Sequence, residues 1–174
     1  MSAPVELFDT DIEAVRALVG SRDKALAKRM AKAESLDREA AAALESIVVY
    51  GRYDHSEFDH RLGFYHLAQG ESQGTYSPNS GYEERSSFLD ATLDDPRLAE
   101  LIAYIPLGRD LMNGAPGVDG GDLWVGYLML DELRELREGL ASVSPRTPLI
   151  ADELEPFLAE LVAAGRDLCS VTRC

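Results

Sequence analysis

Apolar residues recur along this chain mainly at three- and four-residue spacing, the period of helices buried along one face. Ile12, Val15, Leu18 and Val19 form the first such set. Thr10-Asp11-Ile12-Glu13 ahead of them has the Ser/Thr-x-x-Glu form of a capping box, so a helix is expected over about 11–19. Gly20 ends it, and Ser21 opens a second helix in which Ala25, Leu26, Arg29 and Met30 alternate with a stripe of lysines. A third runs from Ala40 through Leu44, Ile47 and Val48 to Gly51. Ser56 and Asp59 open a fourth, which carries Phe58, Leu62, Tyr65 and Leu67 to Ala68. Asp95-Pro96 places proline at the first position of a fifth, which Ile105-Pro106 stops. In a sixth, Asp131 is the expected cap, Leu133, Leu136 and Leu140 face inward, and Glu132, Glu135 and Glu138 face outward. A last helix over about 152–164 closes at Gly165.

Strand signals are fewer. Leu123-Trp124-Val125-Gly126-Tyr127-Leu128 is the clearest, with shorter candidates at Val5–Phe8, Ile105–Leu107 and Leu168–Thr172. Helices outnumber strands, which gives an α+β class: a helix-rich single domain over 1–174 with a small mixed sheet of about three or four strands. Residues 69–85, rich in Gly, Ser, Tyr and Glu, read as a long loop, and residues 108–122 hold five glycines.

Charge divides the chain. The net charge is −14, yet residues 1–38 balance seven acids against seven bases, so the whole excess falls in residues 39–174. All the lysines, Lys24, Lys28 and Lys32, lie one turn apart along one face of the second helix. A negative field repels nucleic acid and anionic membranes, and attracts basic proteins. The expected partner is therefore a basic protein, with a homodimer, basic helix against acidic face, as another arrangement. No segment approaches the roughly 18 consecutive apolar residues of a membrane span, and Met1-Ser2-Ala3-Pro4 does not begin a signal peptide. A cytoplasmic location is expected.

Catalytic patterns are sparse. Gly70-Glu71-Ser72-Gln73-Gly74 has the string of a nucleophile elbow, but a helix precedes it and every histidine lies upstream, against the strand-Ser-helix context and chain order the elbow needs. His55, His60 and His66 cluster with Asp54, Glu57 and Asp59, which would favour the protonated imidazoles. Their gaps of five and six residues do not suit a helical metal pair, so surface histidines are expected. His55, Asp59, His60 and His66 are the candidates should the protein take a small ligand or metal. Gly114 to Asp122 lacks the lysine and Ser/Thr of a phosphate loop. Cys169 and Cys174 fit two thiols in a reducing compartment, and no cofactor is implied. Trp124 and Tyr127 are residue types that anchor interfaces, so they join the three lysines as candidate partner contacts, although a strand Trp is more often core.

Phe8 to Arg16 followed by Val19-Gly20-Ser21-Arg22-Asp23, and later Val125-Gly126-Tyr127-Leu128 before an Asp-capped helix, resemble a family of small actinobacterial proteins and, more distantly, the YfbM-like group. The resemblance covers about a third of the chain. It implies a bacterial source and a single domain, and carries over no functional residue. The first functional expectation is thus a non-enzymatic acidic interaction module, like an immunity protein or antitoxin. The other is an enzyme or small-ligand or metal binder using the histidine region and the 69–85 loop.

Overall fold

The computed structural model describes residues 5–74, 88, 93–117, 122–143 and 149–173. In chain order these form β1 (Val5–Thr10), α1 (Ile12–Leu18), α2 (Lys24–Ala33), α3 (Arg38–Tyr50), α4 (Phe58–Gly70), α5 (Pro96–Leu107), β2 (Leu123–Leu128), α6 (Leu130–Leu140), a π-helical turn (Leu149–Leu154), α7 (Glu155–Ala164) and β3 (Asp167–Arg173). The α+β class and a three-strand sheet are as the residue pattern implies.

The sheet order is β1-β3-β2, and both pairs are antiparallel, with Val5 opposite Thr172, Thr10 opposite Asp167 and Leu128 opposite Leu168. The sheet is therefore not mixed. β1 and β2 run the same way, and the last strand slots between them in the opposite direction. The expected strand at Ile105–Leu107 is instead the final turn of α5. Ile105 and Pro106 are buried there, and a short apolar run cannot distinguish a buried helix end from a strand.

Helices cover both faces of the sheet. Phe8, Val125, Tyr127, Cys169 and Val171 project into one core with α1, α3 and α4. Val5, Leu7, Leu128 and Leu168 project into another with α5, α6, the π-helical turn and α7. Every residue of β2 is buried, as expected for a strand covered on both sides. No described helix is long and apolar enough to cross a membrane.

Contact between α5 and the sheet depends on small residues. A Cβ on Gly126 would fall inside the hard-sphere limit of the Tyr104 carbonyl oxygen. Beside it, Ser170 Oγ donates to the Ile105 carbonyl at 2.8 Å, satisfying an acceptor near the helix end.

The start of β3 organises the opposite edge. Asp167 Oδ2 accepts the Ile12 N–H at 2.8 Å and its Oδ1 accepts the Leu130 N–H at 2.7 Å, so one carboxylate caps both α1 and α6. Burial holds its carboxyl above the usual carboxylate range, and the two N–H donors offset this only in part.

Several caps differ from the expected ones. Thr10 belongs to β1 and donates its hydroxyl to the Ala68 carbonyl, so Asp11 caps α1 through the Ala14 N–H. Asp23 rather than Ser21 caps α2, through the Leu26 N–H. Ser56 is bound to the Asp54 carboxylate, and Glu57 precedes α4 without a side-chain cap. Asp131 lies inside α6 and pairs with Arg134 at 2.7 Å, its expected role having passed to Asp167.

Replacing Asp167 with Ala leaves two helix N–H groups without their acceptor, and should cost about 2–4 kcal/mol by urea unfolding. Gly126→Ala should displace α5 and cost about 3 kcal/mol by the same measurement.

Candidate functional site

The lysines and the aromatic pair are divided by the fold. Lys24, Lys28 and Lys32 are exposed along α2, and none forms an ion pair with a described residue. Trp124 and Tyr127 are 6% and 1% exposed, so neither offers a contact surface and the expectation of partner anchors at these two positions is corrected. Tyr127 instead organises a polar cluster. Its hydroxyl accepts from Arg16 at 2.8 Å and donates to the Asp110 carbonyl at 3.0 Å, while the Arg16 and Arg109 guanidinium carbons lie 5.5 and 4.8 Å from the ring centroid. Arg109 pairs with Glu132 at 2.6 Å. Glu132 is thus half-buried rather than outward. Burial raises its pKa, but the Arg109 bond and the Met129 N–H outweigh that and hold it below the usual range.

The histidines separate into two places. His55 and His60 share Tyr53: His55 Nδ1 lies 3.0 Å from the phenol oxygen, and each imidazole centroid is 6.3 Å from the Tyr53 ring. His60 Nδ1 accepts the Asp54 N–H at 3.0 Å. Asp59 stands in the first turn of α4, and Arg61 ties the preceding turn by donating to the His55 and Ser56 carbonyls. His66 lies farther along α4, beside Tyr65. Among the described residues no three His, Cys, Asp or Glu side chains converge to hold a metal.

The expectation of surface histidines fails for His55 and His66, which are buried. Burial depresses the proton affinity of both, more than Asp110 and Asp54 raise it at His55 or Glu34 raises it at His66. The local acids do not decide the outcome, because His55, in the turn ahead of α4, and His66, within it, are both buried.

A cleft of about 400 Å³ opens at His66, bounded by the end of α2, by α4 and by the adjoining ends of β2 and β3. Leu36, Phe58, Leu62 and Leu123 supply its apolar surface, and Glu34, His66, Asp122 and Arg173 its polar groups. His66 Nδ1 has no hydrogen-bond partner among the described residues and lies 3.4 Å from Glu34 Oε2. The Arg173 guanidinium carbon rests 4.9 Å from the centroid of the Tyr65 ring. Phe58 is 45% exposed at the border. This is the form of a ligand site, with apolar walls and a few convergent polar groups. Residue patterning reached His66 but missed Glu34, Asp122 and Arg173, because only the packing of the sheet end against α2 and α4 assembles them.

Ser72 has a different role. Its hydroxyl donates to the buried Asp9 carboxylate at 2.6 Å, Gln73 N–H adds a second bond, and Arg166 pairs with Asp9 at 3.2 Å while donating to the Glu71 carbonyl. The described part of the 69–85 loop, up to Gly74, is thereby fastened to β1; residues 75–85 lie outside the described residues. In the glycine-rich segment, Arg109 bridges to Pro116, Gly117 N–H bonds the Gly108 carbonyl, and Asp110 Oδ1 accepts from Met112 and Asn113. Cys169 is a buried free thiol whose pKa burial pushes up, which disfavours a reactive thiolate, and Cys174 lies outside the described residues. Comparison with known families, curated proteins and solved structures finds no match to this chain.

The buried histidines set a pH dependence. Both fold best when neutral, so their contribution is present above the ordinary histidine value of 6.5 and is lost as pH falls through their depressed values. Urea midpoints should fall between pH 7.5 and pH 5.5, and the paired replacement His55→Asn with His66→Gln should flatten that decline.

Proposed function

We propose that this protein is a non-enzymatic interaction module that engages a basic partner protein through its carboxylate-rich surface, as an immunity protein or antitoxin covers a toxin. The observation that carries this reading is the excess of exposed carboxylates over the surface, with every lysine confined to α2. Arg22, Lys24, Lys28, Arg29, Lys32 and Arg38 are all exposed on α2 and its flanks, in the layer on one side of the sheet. On the other side, α5 to α7 present the exposed carboxylates of Asp94, Glu100, Glu135, Glu138, Asp152 and Glu160, interspersed with the exposed Arg134 and Arg137. Arg97 neutralises part of that face by pairing with Glu100, Glu132 and Glu135. Glu138 and Glu160 make no ion pair with a described residue and remain available to an incoming cation. Charge of this kind accelerates encounter and rejects like-charged partners.

A second reading is favoured by the cleft at His66: the protein binds a small ligand there. It retains His66 from the expected site, and none of the described residues of the 69–85 loop lines the cleft.

Immobilised protein exposed to bacterial lysate should retain a basic protein at low salt and release it at high salt, since screening weakens exposed charge pairs. The double replacement Glu138→Lys with Glu160→Lys should abolish retention, whereas Lys24→Gln with Lys28→Gln should preserve it. Retention that survives the acidic-face reversal overturns the assignment of that face. If the attraction is between copies, sedimentation will show a dimer mass that falls to the monomer with added salt.

A further inference from the structure

We infer that the cleft around His66 binds a free α-amino acid with an apolar side chain, held as its zwitterion. This rests on the small-ligand reading and gives it a ligand class. Its volume of about 400 Å³ lies at the lower end of ligand cavities, which suits a molecule of amino-acid size.

The charges of the cleft call for both signs in the ligand. Glu34 and Asp122 contribute two carboxylates, and Arg173 contributes a guanidinium with no described carboxylate within ion-pair distance. A simple anion would meet Glu34 and Asp122 unfavourably, and a simple cation would leave Arg173 unanswered. A zwitterion satisfies both: its carboxylate takes the planar donors of Arg173, and its ammonium takes Glu34 and Asp122.

Both charges stand by neighbouring rings of α4. Glu34 Oε2 lies 3.4 Å from His66 Nδ1, and the Arg173 guanidinium carbon lies 4.9 Å from the centroid of the Tyr65 ring, itself 5.2 Å from that of His66. In an α-amino acid, ammonium and carboxylate share a single carbon, so one small molecule presents both charges to this part of the cleft. The His66 imidazole faces the Glu34 carboxylate at 3.4 Å beneath the cleft, so a ligand that engages Glu34 is felt at this ring. Leu36, Leu62 and Leu123 then form the wall for the side chain, with the exposed Phe58 ring at the border.

The test compares L-phenylalanine, phenethylamine and 3-phenylpropionate by calorimetry, with the His66 imidazole followed by NMR. L-phenylalanine should bind and shift the His66 signals, and each single-charge analogue should bind about tenfold more weakly or worse. Glu34→Gln should weaken L-phenylalanine and phenethylamine. Arg173→Gln should weaken L-phenylalanine and 3-phenylpropionate. Both replaced side chains reach solvent, and circular dichroism and unfolding curves of the variants will establish that the fold persists. If phenethylamine binds as tightly as L-phenylalanine, the zwitterion is overturned while the ligand-binding reading stands. If none of the three binds and His66 is unmoved, both are overturned. Binding of L-phenylalanine that neither replacement alters places it elsewhere and also overturns the inference.

Discussion

The fold closes on one carboxylate. Asp167 stands at the first position of the central strand, and its two oxygens receive the first N–H groups of α1 and α6. Those helices leave the ends of β1 and β2 and cover opposite faces of the sheet, so a single side chain fixes the entry of both layers. Because, among the described residues, β1 and β2 each pair only with β3, neither has a described sheet partner until the last strand is in place. Contacts this distant along the chain carry a large loop-closure cost, and in such a topology they form late in folding. Asp167 and its neighbour Arg166, which pairs with Asp9 in β1, place strong polar contacts where that closure occurs.

Closure in turn constrains the sheet residues. A three-stranded sheet covered on both faces gives each helix little width to rest on, so the backbones must approach closely. Gly126 and Ser170 provide that approach for α5: one lacks the Cβ that would meet the Tyr104 carbonyl, and the other supplies the hydroxyl that answers the Ile105 carbonyl. On the opposite face the sheet carries bulk instead. Phe8, Tyr127 and Val171 meet α4, and the Tyr127 ring lies edge-on to Phe64 with centroids 6.1 Å apart. The asymmetry follows from the side-chain alternation of three strands and requires no further element.

Periodicity revealed the helices, the three strands and the class of fold, because each is a local consequence of where apolar residues recur. It misplaced caps wherever tertiary contacts outrank local ones. Thr10 and Ser21 have the right chemistry to cap, yet Thr10 is drawn into β1, while α6 is capped across the sheet by a residue from β3. The direction of the strands was hidden for a similar reason, since nothing near Val5 or Leu123 states that the last segment inserts between them. The histidines illustrate the same limit in electrostatics. Neighbouring acids are visible in the sequence and favour protonation, but the burial that overrides them at His55 and His66 is a property of how α4 and the turn before it pack. Of the cleft, only His66 was legible. Glu34, Asp122 and Arg173 come from three elements with no pattern joining them.

Two local conflicts fall at that cleft. Glu34 is the C-cap of α2, where a carboxylate opposes the helix dipole. Ser35, which follows, has φ 52°, a left-handed conformation that glycine occupies far more easily. Either feature costs stability, and a change of residue at each would relieve it. Together they turn the chain so that Glu34 and Leu36 both face the cleft, with the Glu34 carboxylate against the buried imidazole of His66. Elsewhere, Asp9 is answered by Arg166 and Ser72, Glu132 by Arg109, and Asp167 by two helix starts, whereas the buried Arg61 Nε and Thr172 Oγ1 have no hydrogen-bond partner among the described residues, and Arg22 shares the left-handed conformation of Ser35. At the His66 cleft an unfavourable cap and a strained residue hold the Glu34 carboxylate 3.4 Å from a buried imidazole, so tertiary packing of α2 against α4 prevails there over local preference.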